Sequence, residues 1–187
     1  MKKSEIRQKY RLMRQMLSQN QCNELSKSIF ARLKTIVDFE NQNVGIFLPI
    51  IDQREPNTFL LLSMYDTNNT KFYSPIVQSY EDDMIFYRIK AEDEIKIGKF
   101  NIPEPISNEK INCRDLNVIL IPLLAFDIYG YRVGYGKGFY DKYLLDSKEN
   151  LLKIGISLFD EAEVIDDINE FDIKMNYCIT PNKIYEF

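Results

Sequence analysis

Lys137 stands between two glycines in GYRVGYGKGFYDKYL (130–144), a stretch that carries Gly130, Gly134, Gly136 and Gly138, four of the chain's seven glycines. Clustered glycine weakens regular structure, so such a run marks a special backbone path. Gly134, Gly136 and Gly138 alternate, leaving three positions with no Cβ to hold a ligand off the main chain. Lys137 adds a mobile cation and Arg132 a planar fork matched to phosphate oxygens. A helix opening near Phe139 would aim free N–H groups and its positive dipole end into the same space. Asp141 would then lie in its first turn, able to hold a magnesium ion. These parts describe a polyphosphate site; read blandly, the same spacing makes a tight exposed turn with incidental charges.

The pattern is neither of the common phosphate loops. GxxxxGK[ST] fails because Gly138 follows Lys137 and Tyr131 takes the first glycine's place. GxGxxG fails because Phe139 or Asp141 stands where the third glycine belongs. The chain also has no histidine, which excludes Ser-His-Asp and Cys-His catalysis and histidine zinc sites. Any chemistry rests on carboxylates, Lys, Arg, Tyr and backbone groups, and any metal is a hard cation on oxygen ligands.

A second basic element opens the chain, where Lys2, Lys3, Arg7, Lys9, Arg11 and Arg14 face a single acid, Glu5. Positions 3, 7, 11 and 14 recur at helical spacing and share one strip. That strip is either a solvated basic face or an arm that lays cations over phosphates held by the glycine loop.

The elements that must position these groups read as helices followed by alternating strands and helices. Helical spacing covers 4–17, with Ile6, Tyr10, Met13 and Leu17 as its apolar stripe, and 22–38, with Ser18 and Gln21 set as a capping box between the two. NVGIFLPI (43–50) reads as a buried strand, and Asn57 or Thr58 opens a helix through Tyr65. KFYSPIV and DMIFYRI are strands, and KFNIPEP (99–105) is expected as extended loop because of Pro103 and Pro105. NVILIPLLAF (117–126) is the strongest strand and is apolar enough to be buried on both faces. A helix from about 139 to 147 follows, then strands in LLKIGISL and NYCIT. This alternation predicts an α/β domain with a largely parallel sheet and the glycine cluster beyond the carboxyl end of a central strand.

At 187 residues the chain suits one domain, 1–187, which buries roughly 70% of its unfolded surface without metal or disulfide support. A net charge of −4 argues against nucleic acid as a general partner. No apolar run approaches the ~18 residues of a membrane span. Cys22, Cys113 and Cys178 are isolated and read as buried thiols in a reducing compartment. A cytoplasmic monomer is expected, with no membrane contact.

Residue by residue, the chain resembles the 5-formyltetrahydrofolate cyclo-ligase (methenyltetrahydrofolate synthetase) family. The likeness rests on KSEIR at the head of the basic helix, EPNT after the first strand and FNIPEP midway. Its most specific part is IPLLAFDIYGYRVGYGKGFYDKYL, supported by FDIKMNYCIT. The resemblance implies a three-layer α/β/α, Rossmann-like open sheet with an N-terminal basic helix. It also implies ATP- and Mg²⁺-dependent conversion of 5-formyltetrahydrofolate to 5,10-methenyltetrahydrofolate, with ADP and phosphate released. By position, Lys3, Ser4, Glu5, Ile6 and Arg7 resemble the family's N-terminal ATP contact, with Arg7 also reaching the folate. Leu48 and Glu55 resemble folate-binding positions. Arg132, Val133, Gly134, Tyr135, Gly136, Lys137, Gly138, Phe139 and Tyr140 would form the nucleotide loop, of which Tyr135 to Phe139 also face the folate. Asp141 and Asp172 match the magnesium carboxylates, and Lys137 and Arg132 would carry catalysis by charge stabilisation.

Four positions depart from the usual family pattern: Tyr135 for Arg or Gly, Phe139 for Tyr, Leu123 for Gly and Asn176 for Asp. The departures imply altered folate affinity. Two other readings stay open: a diverged relative acting on another formyl or amide substrate, and a non-catalytic nucleotide- or RNA-binding module. Intact Lys137, Asp141 and Asp172 count against the loss of catalysis.

Overall fold

The computed structural model describes residues 1–65, 69–77, 83–160 and 162–187. The chain opens with α1 (Lys3–Gln15) and α2 (Gln19–Leu33), followed by β1 (Asn43–Gly45), α3 (Phe59–Met64), β2 (Lys71–Val77) and β3 (Met84–Ile89). A ribbon of β4 (Ile95–Ile97) and β5 (Pro103–Pro105) precedes β6 (Lys110–Ile111) and β7 (Val118–Pro122). Then come β8 (Ala125–Asp127), β9 (Arg132–Val133), α4 (Phe139–Leu145), β10 (Leu152–Ile156), β11 (Ala162–Glu163), β12 (Tyr177–Ile179) and β13 (Ile184–Glu186).

Eight strands form the main sheet in the order β13-β12-β10-β7-β1-β2-β3-β6. The central five, β12 to β2, run parallel, while β13, β3 and β6 pair antiparallel at the flanks. Alternation along β7 shows why the strand is apolar throughout. Val118 and Leu120 meet α2 and α3 on one face, whereas Ile119 and Ile121 meet α4 on the other. Both faces are covered, as parallel sheets require. Each such side chain contributes about 1.5–3 kcal/mol of burial. A third apolar cluster, of Ile6, Tyr10, Leu124, Ala125, Val133 and Ile165, docks α1 against β8 and β9. The expected α/β/α architecture is therefore present.

Local chemistry sets the element ends. Ser18 caps α2: its hydroxyl accepts the Gln21 N–H at 3.2 Å, and the Gln21 side chain accepts the Ser18 N–H at 2.8 Å. The helix stops at Leu33, short of the expected 38, where the β-branched run of Thr35, Ile36 and Val37 begins. The Thr35 hydroxyl there takes the Arg32 carbonyl at 2.7 Å and competes with the helix.

Three expectations are corrected. The segment 117–126 is not one strand. Pro122 has no N–H and closes β7, after which Leu124 bonds the Val133 carbonyl and β8 joins a separate three-stranded sheet, β11-β8-β9. Pro103 and Pro105 do lie in a strand, paired with Ile97 and Ile95. Ladder bonds fall on the alternate register, where the Gly98 N–H donates to the Ile102 carbonyl and the Ile106 N–H to the Glu94 carbonyl, so the prolines need no donor. Of 43–50, only Asn43–Gly45 pairs as a strand.

Candidate nucleotide and folate site

The glycine loop begins where β9 ends and finishes as the N-cap of α4. Gly130 is not part of it: it sits in the β8–β9 turn, where an added Cβ would lie 2.9 Å from Phe187. The other three glycines differ from one another. Gly136 has φ +98°, in the left-handed region, and a Cβ there would lie 3.3 Å from the Arg7 guanidinium. Gly138 caps α4 at φ +70°. Added Cβ atoms at Gly134 and Gly138 would meet nothing within 4 Å, so the loop turns an unfilled side outward. The first-turn N–H groups of α4 lack intrahelical acceptors and border that side.

Helix α1 lies along the loop because its 3–4 spaced apolar residues are buried against β8 and β9. Arg7 donates from Nε to the Gly134 carbonyl at 2.9 Å. The Lys3 ammonium pairs with Asp172 at 2.5 Å, and the Lys3 N–H donates to Asp167 at 2.7 Å. The Glu5 carboxylate accepts the Lys2 N–H at 2.9 Å and caps the helix. Ser4 is exposed, and Ile6 anchors the arm in the core. The basic strip is thus not solvated throughout: Lys3, Arg7 and Arg14 have hydrogen-bond partners around the loop, and the Arg11 guanidinium lies over the Tyr135 ring.

Arg132 directs its fork inward. Its guanidinium donates to the Ile173 carbonyl at 2.6 Å and to the Asp141 carboxylate at 2.7 Å. Burial pulls its pKa down while Asp141 opposes the shift. Asp141 also accepts the Ile173 N–H at 3.1 Å, which brings the neighbouring Asp172 to the same edge of the loop. Lys137 is exposed, with its ammonium 5.0 Å from the centre of the Phe100 ring. Val133 is buried beneath the loop, and the Tyr140 hydroxyl is buried with no hydrogen-bond partner among the described residues. Burial raises the Tyr140 pKa, so it remains a neutral phenol.

Among the described residues, no three His, Cys, Asp or Glu side chains gather as a metal cage. Two carboxylates at the loop edge are still a fitting donor set for magnesium, which usually takes one or two carboxylates and completes its shell with phosphates and water.

Leu48 and Glu55 follow the carboxyl end of β1. Leu48 is packed in the core beneath α2 and α3. Glu55 is buried, with one carboxylate oxygen accepting the Ile50 N–H at 2.8 Å and the other the Tyr135 hydroxyl at 2.5 Å. Burial raises its pKa above the usual carboxylate range; Arg14, Ile50 and Tyr135 pull it down.

Two residues at this site were not singled out from the sequence. Phe100 has φ +59° and is 46% exposed, lying 6.0 Å from Phe139 by ring centres with the Lys99 and Lys137 ammoniums over its ring. An exposed aromatic in a left-handed backbone is an uncommon combination. Its only sequence cue was membership of FNIPEP. Arg14 is 1% exposed and was visible only as one cation of the arm.

An open α/β sheet with a glycine loop, a basic arm and two carboxylates gathered beyond its strand ends has the architecture of a ligand-binding α/β enzyme. Residues 1–181 match the model of the 5-formyltetrahydrofolate cyclo-ligase family, and the chain belongs to that family. It is a ligase. The Escherichia coli K12 5-formyltetrahydrofolate cyclo-ligase is 25% identical over 184 residues, covering 93% of this chain and 97% of that one. The Mus musculus enzyme of the same name is 29% identical over 130 residues, 64% of this chain and 63% of its own. The solved structure of Aquifex aeolicus 5,10-methenyltetrahydrofolate synthetase superposes with a TM-score of 0.80 at 28% identity, covering 100% of this chain and 93% of that one. Among the described residues, no helix is long and apolar enough to cross a membrane.

Proposed function

We propose that this chain converts 5-formyltetrahydrofolate to 5,10-methenyltetrahydrofolate at the expense of MgATP, releasing ADP and phosphate. The observation that carries this reading is the continuity of one site. Arg7 bonds the phosphate loop at Gly134, and the next residue of that loop, Tyr135, bonds the buried Glu55. Nucleotide and folate elements therefore share a wall, as direct phosphoryl transfer between two substrates requires.

Ring closure needs N10 to attack the formyl carbon and expel its oxygen, a very poor leaving group. Transfer of the terminal phosphoryl group of ATP to that oxygen turns it into phosphate. No protein nucleophile is required, which suits a chain without histidine. Catalysis is positioning and charge stabilisation. Lys137 is the exposed cation of the loop and meets the transferring group. Arg132 holds Asp141 in place from within and adds positive potential. Asp141 and Asp172 would hold Mg²⁺, which neutralises phosphate charge when bound. Gly134, Gly136 and Gly138 let the phosphates approach the backbone. Glu55 receives N–H donors of the pterin, Leu48 shapes the apolar floor, and Phe139 with Phe100 packs against the flat substrate.

Incubation with 5-formyltetrahydrofolate and MgATP, followed by the methenyl absorbance, tests the proposal. Product is expected only with both ATP and magnesium. Equal product without nucleotide refutes the mechanism, and no product at all refutes the substrate.

A further inference from the structure

Arg14 lies at the end of α1, outside the phosphate-binding parts of the arm, yet it is 1% exposed. One guanidinium nitrogen donates to the Leu123 carbonyl at 2.5 Å and another to the Tyr135 hydroxyl at 2.7 Å, while Nε has no partner among the described residues. Burying a guanidinium with a donor unmet opposes folding, and an apolar side chain would fill the place at lower cost. Its retention calls for a reason in charge.

The hydrogen-bond directions supply one. A guanidinium only donates, so the Tyr135 hydroxyl must accept from Arg14. A hydroxyl has a single proton, and Tyr135 can only give it to Glu55, 2.5 Å away. The chain Arg14→Tyr135→Glu55 is polarised one way and requires the Glu55 oxygen to be an acceptor. An ionised carboxylate has about four acceptor positions. Ile50 and Tyr135 fill two of them. Those remaining can receive a pair of N–H donors.

We propose that Arg14 is a positioning residue which, through the Tyr135 hydroxyl, holds Glu55 as an ionised acceptor for the folate, so that folate affinity depends on Arg14 and nucleotide affinity does not. This rests on the reading that Glu55 receives the folate. Arg14 faces Glu55 from α1 and Tyr135 from the loop, and Tyr140 on α4 senses its charge. Arg11 lies 5.6 Å from the Tyr135 ring centre, and Cys22 on α2 is near Arg14 and Arg54. The Arg54 guanidinium turns away, to the Leu17 carbonyl and Gln19. Arg14 is first among the influences that pull Glu55 back from the raised pKa imposed by burial.

The test is a carbon-detected NMR titration of Glu55 in the folate-free protein, beside folate and ATP binding across pH. Arg14→Met should move the Glu55 midpoint upward and weaken folate about tenfold or more near neutral pH. Affinity should recover as pH rises and Glu55 ionises again, while ATP affinity stays within about twofold. Arg14→Lys should restore part of both effects. Tyr135→Phe removes only the hydroxyl, so it carries the test even if Arg14→Met does not fold, and it should also raise the midpoint. An unmoved midpoint in Tyr135→Phe and in any folded Arg14→Met overturns the role of Arg14 and leaves the folate reading of Glu55 standing. Unchanged folate affinity in Glu55→Gln overturns that reading instead, and the proposal with it.

Discussion

Gly134→Ala separates what the loop needs for folding from what it needs for binding. Gly134 lies outside the left-handed region, and an added methyl group would meet no atom within 4 Å. Its carbonyl, which accepts from Arg7, is untouched by the change. The folded state should pay nothing, and the unfolded chain loses freedom, so the variant gains about 0.4–1 kcal/mol. At about 2–4 °C per kcal/mol for a chain of this length, the unfolding midpoint rises by about 1–4 °C. If nucleotide phosphates lie against this backbone, the methyl carbon takes their place. Losing one charge-assisted hydrogen bond at ~1.5–3 kcal/mol lowers MgATP affinity by about 10- to 150-fold. Calorimetric titration with MgATP and thermal unfolding of the ligand-free protein, on one preparation, measure both quantities. Gly136→Ala is the contrast, because its φ of +98° and the Arg7 guanidinium 3.3 Å away should cost stability as well as binding. A Gly134→Ala protein that binds MgATP and turns over normally would refute the reasoning, since the unfilled side of the loop would then not be the ligand's.

Two further outcomes are expected. Lys137→Met keeps the stem but removes the charge, and turnover should fall at least ~100-fold with a much smaller loss of nucleotide affinity, as steady-state kinetics beside equilibrium binding would show. Arg7→Ala should weaken both substrates by about tenfold to a hundredfold with little change in the unfolding midpoint, and unchanged calorimetric affinities would return α1 to a purely structural role.

How much of this was legible depended on the range over which each signal acts. The Ser18 capping box is chemistry within a few residues and the chain declares it. The start of α3 was placed only to within Asn57 or Thr58, because the Thr58 hydroxyl makes no cap and turns to the Phe47 carbonyl. The apolar run of β7 declared burial on two faces, but not that Pro122 would end it and hand Ala125–Asp127 to a second sheet, because that needs Val133 as partner. Pro103 and Pro105 read as loop because spacing alone does not show which side of a ribbon carries the ladder bonds. In the site, Lys137, Asp141 and the glycines share one short segment, so their meeting was visible. Arg14 with Tyr135 lies 121 positions apart and Lys3 with Asp172 lies 169 apart, and only the fold brings such pairs together. The inward turn of Arg132 was hidden for the same reason, since Ile173 supplies half of its partners.

That inward turn distinguishes the two carboxylates proposed for magnesium. Asp141 faces a guanidinium fixed by two short bonds and almost fully buried, so withdrawing Arg132 would strand both a charge and the Ile173 carbonyl. Asp172 faces a lysine, whose flexible stem ends in an ammonium that can change partners. On the proposed reading, a metal arriving with nucleotide phosphates would meet one carboxylate held by a buried guanidinium and one paired with a lysine. On that reading the Lys3 ammonium would exchange Asp172 for phosphate oxygens, since Lys3 and Arg7 rise from successive turns of the same helix strip. On the proposed reading the arm is consequently part of the metal's surroundings as well as the nucleotide's. Its apolar docking through Ile6 and Tyr10 gives that exchange a fixed origin, so the lysine side chain can move while the helix stays in place.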